Sequence, residues 1–387
     1  MDIPRIQEAL RRQKLDGWLF FDHHQRDPLA YRVLGLHPQG HITRRWYYLI
    51  PAAGEPRGLV HRIEAGIIDA LPGEKLRYSS WQEQHAGLTR LLKGLTRVAM
   101  QYSPLCAVPY VAMVDAGTVE LVRAQGVDVV SSAELIQEFE ACLSDEQFAT
   151  HREAGRRVDK VCAEAFRLIG DKLSDGVSEL MVRDWILDQF RSAGMVTDSG
   201  PIVGVNAHAG NPHYEPTSEC SAPIRPGDFV LIDLWAKLDQ PDAVFYDITW
   251  TGFCGTPPDR VREVFEIVRD ARDRAIEAVA SAAKSKRDIR GFEVDDAARN
   301  HIHAKGFGDR FVHRTGHSIG TEVHGTGANM DNLETHDDRR ILPGALFSIE
   351  PGIYLEDFGV RSEVNVFVTA DSAAVTGAVQ RELVRIG

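Results

Sequence analysis

The sequence predicts a two-domain protein, with an α/β domain over residues 1–143 and an α+β domain over residues 144–387. The chain of 387 residues is longer than one hydrophobic core normally spans. Helical and strand-like patterns alternate through the first domain, which is typical of a mixed sheet covered by helices. In the second domain, long helical patterns are separated by groups of strand-like segments, which indicates an α+β arrangement.

The first domain starts with an amphipathic helix over residues 4–15, in which Ile6, Leu10 and Leu15 oppose basic side chains. The strand-like segments that follow are GWLFF, WYYLIP, GLVHRI, RVAMQY and VDVVSS. Helical patterns lie between them in EAGIIDAL, QHAGLTRLLKGL and VAMVDAGTVELVRAQG.

The second domain starts at Ser144, which precedes acidic residues and an apolar stripe at helical spacing. Further helices are predicted from Ser178 to about Ala193, after the sequence GTPP, and near residues 293–305. Strands are predicted in IVGVN, DFVLIDLWAK, AVFYDITWTG, LFSIEPGIYL and VRSEVNVFVTA. We expect these strands to form a curved, largely antiparallel sheet backed by the helices.

The composition is that of a folded globular protein, with 43% apolar, 26% charged and 8% aromatic residues. A net charge of -12 without a lysine- or arginine-rich block argues against a nucleic-acid partner and favours a small uncharged or cationic substrate. The first residues lack the apolar segment of a signal peptide, and no later stretch is long and apolar enough to cross a bilayer. We therefore expect a cytoplasmic protein without a membrane partner.

The five cysteines are an odd number, are widely spaced and form no CxxC pair. We expect them to be reduced and mostly buried.

Four carboxylates and one imidazole stand in short apolar or glycine-rich phrases. The phrases are LIDLW with Asp233, FYDITWTG with Asp247, HRTGHSIGTEVHG with His317, LFSIEPGIY with Glu350, and GVRSEVNVFVT with Glu363. Taken singly, an aspartate in an apolar strand is more often a cap or turn residue than a ligand. Two like charges about 4 Å apart repel by roughly 4 kcal/mol at an effective dielectric near 20. Divalent cations bound between the carboxylates turn this net repulsion into attraction. The set therefore predicts a two-metal site, with manganese, cobalt and zinc all compatible.

The position of the two aspartates predicts how such a site could be built. Asp247 is two residues from Phe245 and from Thr249, so all three side chains should point to one face of a strand. We expect Asp233 at the end of a buried strand. Two aspartates on neighbouring strands could then hold one metal ion, with a third carboxylate bridging to a second ion.

The histidine-rich stretch is a stronger signal than either aspartate. His317 lies between Gly316 and Gly320, which we expect to allow close approach of the backbone, and His313 and His324 lie four residues before it and seven after. A lone histidine is more often a structural residue than a ligand. Three within twelve residues, interleaved with glycine, favour a site.

The five candidate ligands follow one another along the chain in the order Asp, Asp, His, Glu, Glu. In this order the chain resembles the pita-bread metallopeptidase family M24, which contains prolidase, aminopeptidase P and methionine aminopeptidase. The match covers most of residues 144–387, and residues 1–143 resemble the amino-terminal domain of prolidases and creatinases. The resemblance implies a pita-bread catalytic domain and a homodimer. It also implies that one metal ion is held by Asp233, Asp247 and Glu363, and the other by Asp247, His317, Glu350 and Glu363.

The resemblance assigns roles to further residues. His213, in HAGNPHYEP, and His324 would contact the scissile peptide bond, and Glu350 would accept the proton of the attacking water. His313 and Arg361 would lie near the carboxy-terminal end of the substrate. His213 and Tyr214 are candidates to line a pocket for a proline ring.

We therefore expect a prolidase, a dinuclear metallopeptidase that hydrolyses Xaa-Pro dipeptides with a hydroxide bridging two divalent ions. Manganese is the expected metal, with zinc or cobalt as alternatives. An Xaa-Pro aminopeptidase of the aminopeptidase P type, acting on longer peptides, is the first alternative. A metal-free creatinase-like amidinohydrolase or a non-catalytic binding module on the same fold is the second.

The chain departs from the family pattern at a few positions. Trp235 stands where the family has glycine in Asp-x-Gly, and Trp250 stands where prolidases have arginine. For both tryptophans, core packing is the alternative to a reshaped subsite, and for Trp250 we hypothesise a contact just outside the metal ligands. Arg339 and Arg340 lie near, but not in line with, an arginine that binds the substrate carboxylate in some prolidases. His208 and the DHH sequence at residues 22–24 are expected to be polar loop residues.

Overall fold

The computed structural model describes residues 1–37 and 41–387, and it contains two compact units, Met1–Glu140 and Ala141–Gly387. The sequence placed the domain boundary near Ser144. Each unit is organised around its own sheets and hydrophobic clusters. Within the described residues, no helix is long and apolar enough to cross a membrane.

The amino-terminal unit is a mixed six-stranded sheet in the order β4-β3-β2-β1-β5-β6. Its helices are α1 (Ile3–Arg12), α2 (Pro28–Leu34), α3 (Trp81–Leu92), α4 (Ala116–Arg123) and α5 (Ala133–Ile136). Its strands are β1 (Gly17–Asp22), β2 (Trp46–Pro51), β3 (Arg57–His61), β4 (Glu74–Tyr78), β5 (Arg97–Met100) and β6 (Asp128–Ser131). Strand β1 pairs antiparallel with β2 and parallel with β5, as a mixed sheet requires.

Alternating side chains of the central strands bury both faces of this sheet. Trp18 and Phe20 of β1 pack into one hydrophobic cluster, and Leu19 and Phe21 pack into another on the opposite face. The expected α/β architecture is therefore present, with helices needed on both faces to exclude water.

Some elements of the first unit differ from the sequence expectation. Strand β4 and helix α2 were not predicted; α2 begins after Asp27, whose side chain caps it by accepting the Ala30 N–H. The pattern EAGIIDAL forms a 3₁₀ helix over Arg62–Ile68 instead of an α-helix.

Asp22 was expected in a polar loop, but it is only 1% exposed and stabilises the turn after β1. It accepts the Arg26 and Asp27 N–H groups and the Tyr31 hydroxyl, because the chain must turn tightly after β1.

The carboxy-terminal unit contains long helices and a main sheet in the order β18-β12-β11-β8, with β9 also paired to β11. Its helices are α6 (Asp145–Lys172), α7 (Glu179–Ser192), α8 (Asp259–Ser285) and α9 (Gly291–Ala304). Its strands are β7 (Val177–Ser178), β8 (Met195–Val196), β9 (Ile202–Val205), β10 (Pro223–Ile224), β11 (Phe229–Leu238), β12 (Tyr246–Cys254), β13 (Leu346–Ile349), β14 (Gly352–Tyr354), β15 (Gly359–Arg361), β16 (Val364–Val368), β17 (Ala373–Val375) and β18 (Val384–Ile386).

The pairing in this unit is largely antiparallel, as expected. The β11–β12, β11–β9 and β13–β16 pairs are antiparallel, whereas β12 and β18 are parallel. The segment LFSIEPGIYL forms two strands, because Pro351 lacks the N–H that a continuous ladder needs.

Capping residues set where the helices begin. Ser144 and Gln147 form a reciprocal capping box at the start of α6, and the Ser178 side chain accepts the Met181 N–H at the start of α7. The predicted starts of both helices are therefore confirmed.

The two faces of the main sheet differ in character. Ile232 and Leu234 of β11, with Ile248 of β12, face the cluster that contains α6 and α7. The intervening residues point to the other face, which includes Leu231 and Phe229 and packs toward α8 and α9. Asp233 and Asp247 lie on this second face.

The expectation of mostly buried cysteines is wrong. Cys162 and Cys254 are buried and Cys142 is half-buried, but Cys106 and Cys220 are exposed.

Candidate metal centre

Two neighbouring strands carry the aspartates of the candidate centre. Asp233 pairs with Thr249 and Asp247 pairs with Trp235 across the β11–β12 ladder, so all four side chains share one face. Asp233 lies in the middle of β11, not at the end of a strand as expected, because β11 continues to Leu238.

The other predicted ligands come from three more segments of the same unit. His317 follows Gly316, which forms a β-bridge with Met330; Glu350 directly follows β13; and Glu363 lies between β15 and β16. All five predicted ligands line one cavity of about 550 Å³, so the structure brings them together.

Their ligand atoms are close enough to share an ion. Asp247, His317 and Glu363 each offer one ligand atom, and these atoms lie within 4.8 Å of one another. The His317 Nε2 atom is 3.5 Å from Asp247 Oδ2 and 3.4 Å from Glu350 Oε1. Because the Nδ1 atom of His317 donates to the Ser318 carbonyl at 3.1 Å, Nε2 is left with its lone pair toward the carboxylates.

Three buried carboxylate oxygens of this cluster have no hydrogen-bond partner among the described residues: Asp233 Oδ1, Asp247 Oδ1 and Glu363 Oε1. Leaving buried charged oxygens unsatisfied is costly, and oxygen-rich sites of this kind suit divalent cations. The donor set therefore fits metal ions.

Burial and mutual repulsion govern the protonation of the acids when no cation is present. Burial, and then the charge of Asp233, raises the pKa of Asp247 well above its ordinary value. Burial, and then Asp247, does the same for the pKa of Glu363, and burial raises the pKa of Glu350. Divalent ions would reverse this preference and hold the carboxylates ionised.

Arg361 connects the aspartates to the glutamates. Its guanidinium donates to Asp233 Oδ2, to Thr249 Oγ1 at 3.0 Å and to the Tyr354 hydroxyl at 3.0 Å. The Thr249 hydroxyl in turn donates to Glu363 Oε2 at 2.8 Å. Arg361 was expected near the substrate; it lines the cavity, but its side chain is only 3% exposed and is bound to the candidate ligand Asp233.

Ser348 and Asn365 orient further parts of the cluster. The Ser348 hydroxyl accepts the His317 N–H at 2.9 Å and donates to Glu350 Oε1 at 3.1 Å. The Asn365 side chain bonds both the N–H and the carbonyl of Asp247. These contacts hold the ligand side chains in place from outside the cluster.

The three remaining predicted histidines also line the cavity, in different states. His313 uses both ring nitrogens, donating to the Arg314 carbonyl and accepting from Tyr354, and burial lowers its pKa to about 3. His324 is exposed, packs edge-on to His317 at 4.4 Å between ring centres, and has its pKa lowered by that neighbour. His213 is exposed on a loop.

Glu179 organises the loop that carries His213. This fully buried carboxylate accepts the Val205 N–H at 2.8 Å, the Ala222 N–H at 2.6 Å, the Tyr214 hydroxyl at 2.6 Å and His208 Nδ1 at 2.9 Å. His208 is thus part of a buried network and not simply a polar loop residue.

Tyr214 belongs to the same network. Its ring stacks on His208 and its hydroxyl is bound to Glu179, so it supports the loop. Tyr214 was expected to line the cavity, but it does not.

The two tryptophans have different roles. Trp235 lines the cavity, and its indole N–H donates to Asp198 Oδ1 at 2.7 Å. Trp250 is three residues from Asp247, so it points to the opposite face of the sheet and packs with the α6 and α7 cluster. The hypothesis that Trp250 makes a contact next to the metal ligands is wrong.

Neither arginine considered for the substrate carboxylate lines the cavity. Arg339 is 2% exposed and forms an ion pair with Asp337 at 2.6 Å, and Arg340 lies 3.9 Å from Asp288.

Three charged residues of the cavity wall were not predicted from the sequence: Asp198, Arg314 and Glu334. Arg314 adjoins His313, so the histidine-rich phrase was a signal for it. Asp198 and Glu334 stand in polar turns without any recognisable pattern.

The chain is similar to known peptidases in sequence and in fold. The model of metallopeptidase family M24 matches residues 149–370. The uncharacterized peptidase YqhT of Bacillus subtilis is 30% identical, over 66% of this chain and 68% of YqhT. The Xaa-Pro dipeptidase of Lactobacillus helveticus is 36% identical over 54% of this chain, and the match spans about half of that relative, 53%. The crystal structure of dipeptidase PepE from Mycobacterium ulcerans has the same fold, with a TM-score of 0.73 and 23% identity over 99% of this chain and 96% of PepE.

Proposed function

Because the chain belongs to metallopeptidase family M24, we propose that it is an Xaa-Pro dipeptidase with two divalent metal ions, held by the five predicted ligands. The expected pita-bread fold is confirmed by the solved relatives. The observation that carries the metal proposal is the set of buried, unpartnered oxygens on Asp233, Asp247 and Glu363 next to His317 Nε2. The ligands are those given above: Asp233, Asp247, His317, Glu350 and Glu363.

The bound ions would activate a water molecule and polarise the peptide carbonyl, with manganese the preferred metal of this oxygen-rich set and zinc or cobalt the alternatives. A homodimer is part of the proposal, and sedimentation of the purified protein tests it directly.

Glu350 would accept the proton of the attacking water. Its side chain is 15% exposed at the cavity, and Ser348 fixes one of its oxygens, so the carboxylate is both accessible and oriented. His324, neutral because its pKa is lowered, can still donate one ring N–H to the developing oxyanion.

His213 can contact the leaving side of the peptide bond. Its loop is anchored by Glu179 while the His213 ring itself is exposed at the cavity, which leaves it able to reorient toward a substrate. The apolar wall of the cavity offers surface for a proline ring, which has no N–H to satisfy. The wall residues are Ile202, Pro212, Trp235, Val312 and Val323.

Hydrolysis of Ala-Pro compared with Ala-Pro-Ala tests the proposed specificity. We expect a higher kcat/KM for the dipeptide than for the tripeptide. Good cleavage of the tripeptide with poor cleavage of the dipeptide would establish an aminopeptidase of the aminopeptidase P type instead.

Metal analysis of the purified protein tests the chemistry separately from specificity. We expect about two divalent ions per chain and activity that is lost with a chelator and restored by Mn²⁺. Activity indifferent to chelation would favour the metal-free alternative.

A further inference from the structure

Asp198 is an acidic side chain of the cavity wall that is not among the five candidate ligands. Asp198 lies in the turn between β8 and β9, is exposed, and lines the same cavity as the ligands. A carboxylate exposed on a turn is ordinarily mobile and fully solvated. This one is held in place.

Trp235 holds it. The indole N–H of Trp235 donates to Asp198 Oδ1 at 2.7 Å, and the Ser199 hydroxyl approaches the same oxygen at 3.4 Å. The second oxygen, Oδ2, has no hydrogen bond within the described part of the chain. The carboxylate thus has one oxygen fixed by the protein and one available to a ligand.

The support for Asp198 is rigid. Trp235 is on β11, two residues from Asp233 and paired with Asp247, and its ring is half-buried against two hydrophobic clusters. A strand residue that lies opposite the candidate ligand Asp247 in the ladder therefore also positions Asp198. Indole donates but cannot accept a hydrogen bond, so Asp198 Oδ1 is the acceptor in this contact.

The charge of Asp198 selects the end of the substrate. A free dipeptide carries its carboxylate on the second residue, which an acidic side chain repels. Its cationic groups are the α-amine and any basic side chain on the first residue. A fixed carboxylate in the wall, separate from the candidate ligands, therefore suits the first residue.

We propose that Asp198, oriented by Trp235, binds a cationic group on the amino-terminal residue of the substrate. The inference rests on the proposed Xaa-Pro dipeptidase function and specifies the residue before proline. The group is an ammonium or guanidinium, and it comes either from the α-amine or from a lysine or arginine side chain.

The test compares the Asp198→Asn variant with the wild type on three compounds. Lys-Pro carries both cations, norleucyl-proline carries only the α-amine, and hexanoyl-proline carries neither and is measured as a competitive inhibitor. We expect a loss of roughly tenfold in kcat/KM, about the contribution of one charge-assisted hydrogen bond, with the hexanoyl-proline inhibition constant unchanged. A loss confined to Lys-Pro assigns the side chain, and an equal loss on both dipeptides assigns the α-amine.

Two further variants separate recognition from bulk charge and from the fold. Trp235→Phe keeps an aromatic ring but removes the N–H, so it should show the same substrate pattern with a smaller loss. Glu334→Gln removes one negative charge from the same cavity wall without touching Trp235, so the ratio between substrates should stay as in the wild type.

The inference is overturned if Asp198→Asn changes the binding of hexanoyl-proline as much as the turnover of Lys-Pro, or if it changes neither. The same result from Glu334→Gln as from Asp198→Asn would also overturn it. If the wild type cleaves no Xaa-Pro dipeptide at all, the proposed function fails instead.

Discussion

Unsatisfied carboxylate oxygens are the feature at the residue scale that most constrains this protein. Asp233, Asp247 and Glu363 are each less than a tenth exposed, and each keeps one oxygen without a partner. Such groups destabilise a protein unless something cationic joins them. Part of the metal affinity would therefore come from relieving an unfavourable arrangement already present in the fold.

Asp247→Asn should separate stability from metal binding. In the presence of a chelator we expect the variant to have a Tm higher by roughly 3–6 °C, because a buried carboxyl that resists ionisation has been replaced by a neutral group. Metal affinity should fall by more than about 100-fold, with activity lost. Differential scanning calorimetry with and without Mn²⁺ measures both.

Asp295→Asn is the matched control for that variant. Asp295 is also fully buried, but it forms an ion pair with Arg299 at 2.7 Å outside the candidate centre. Its replacement should destabilise the protein with or without metal. A chelated Asp247→Asn protein less stable than the wild type would contradict the repulsion argument.

At the scale of strands and loops, close packing between elements fixes the position of the histidine-rich stretch. A Cβ at Gly316 would lie 2.0 Å from the Ser348 carbonyl oxygen, whereas a Cβ at Gly320 would meet nothing within 4 Å. The expected close approach is thus real at Gly316 and wrong at Gly320. Because Ser348 also contacts His317 and Glu350, a shift there would move two candidate ligands.

Gly316→Ala should destabilise the protein by about 1–3 kcal/mol, the usual cost of forcing atoms into a packed region, and should weaken metal binding. Gly320→Ala should change stability by less than about 0.5 kcal/mol. Urea unfolding and metal titration of the two variants test this pair. Equal effects at both glycines would show that packing against Ser348 is not the cause.

His151 links α6 to the strands through a neutral ring. Its Nδ1 donates to the Phe245 carbonyl at 2.6 Å and its Nε2 accepts from the Thr376 hydroxyl at 2.8 Å. Burial lowers the pKa of His151 to about 4, against about 6.5 for an unfolded histidine. The unfolded chain therefore binds more protons between pH 4 and pH 6.5, and stability must fall as the pH decreases through that window.

Protonation of the unfolded His151 should remove on the order of 3 kcal/mol of stability between pH 7 and pH 4. In His151→Gln, the loss of stability over this interval should be smaller by a similar amount, although the variant is less stable at pH 7. Chemical denaturation at a series of pH values gives the slopes. Parallel pH profiles for the two proteins would contradict the role assigned to this ring.

Ligand binding and folding are coupled at the scale of the whole molecule. The chain has a net charge of -12, and its candidate ligands come from segments as far apart as β11 and the turn before β16. Such a site exists only in the folded state, so ions that bind it stabilise the fold.

Unfolding free energy should rise with Mn²⁺ concentration by about 2.7 kcal/mol when the ion is at 100 times its dissociation constant. Mg²⁺ at the same ionic strength is the control for screening of the negative charge, and it should stabilise less. Thermal unfolding across a metal titration measures the difference. Equal stabilisation by both ions would indicate screening and not a specific centre.

Local patterns in the sequence were sufficient for much of the fold. Capping by Ser144 and Ser178 and the alternation along β11 and β12 depend on neighbouring residues only, so the elements and their faces could be read directly. The same alternation already separated Trp235, two residues from Asp233, from Trp250, three residues from Asp247. Its odd spacing from Asp247 places Trp250 on the opposite face of the sheet, away from the candidate ligands.

By itself, the sequence determined the two-domain α/β and α+β class, the family resemblance and the candidate ligands, because these depend on short-range periodicity and residue order. Only the tertiary structure decided that Asp198 meets Trp235, that Arg339 is buried against Asp337, and that Glu179 anchors the His213 loop. Those contacts join segments whose approach depends on how the helices and sheets pack, and a side chain's period along its own strand carries no information about which distant loop it will meet.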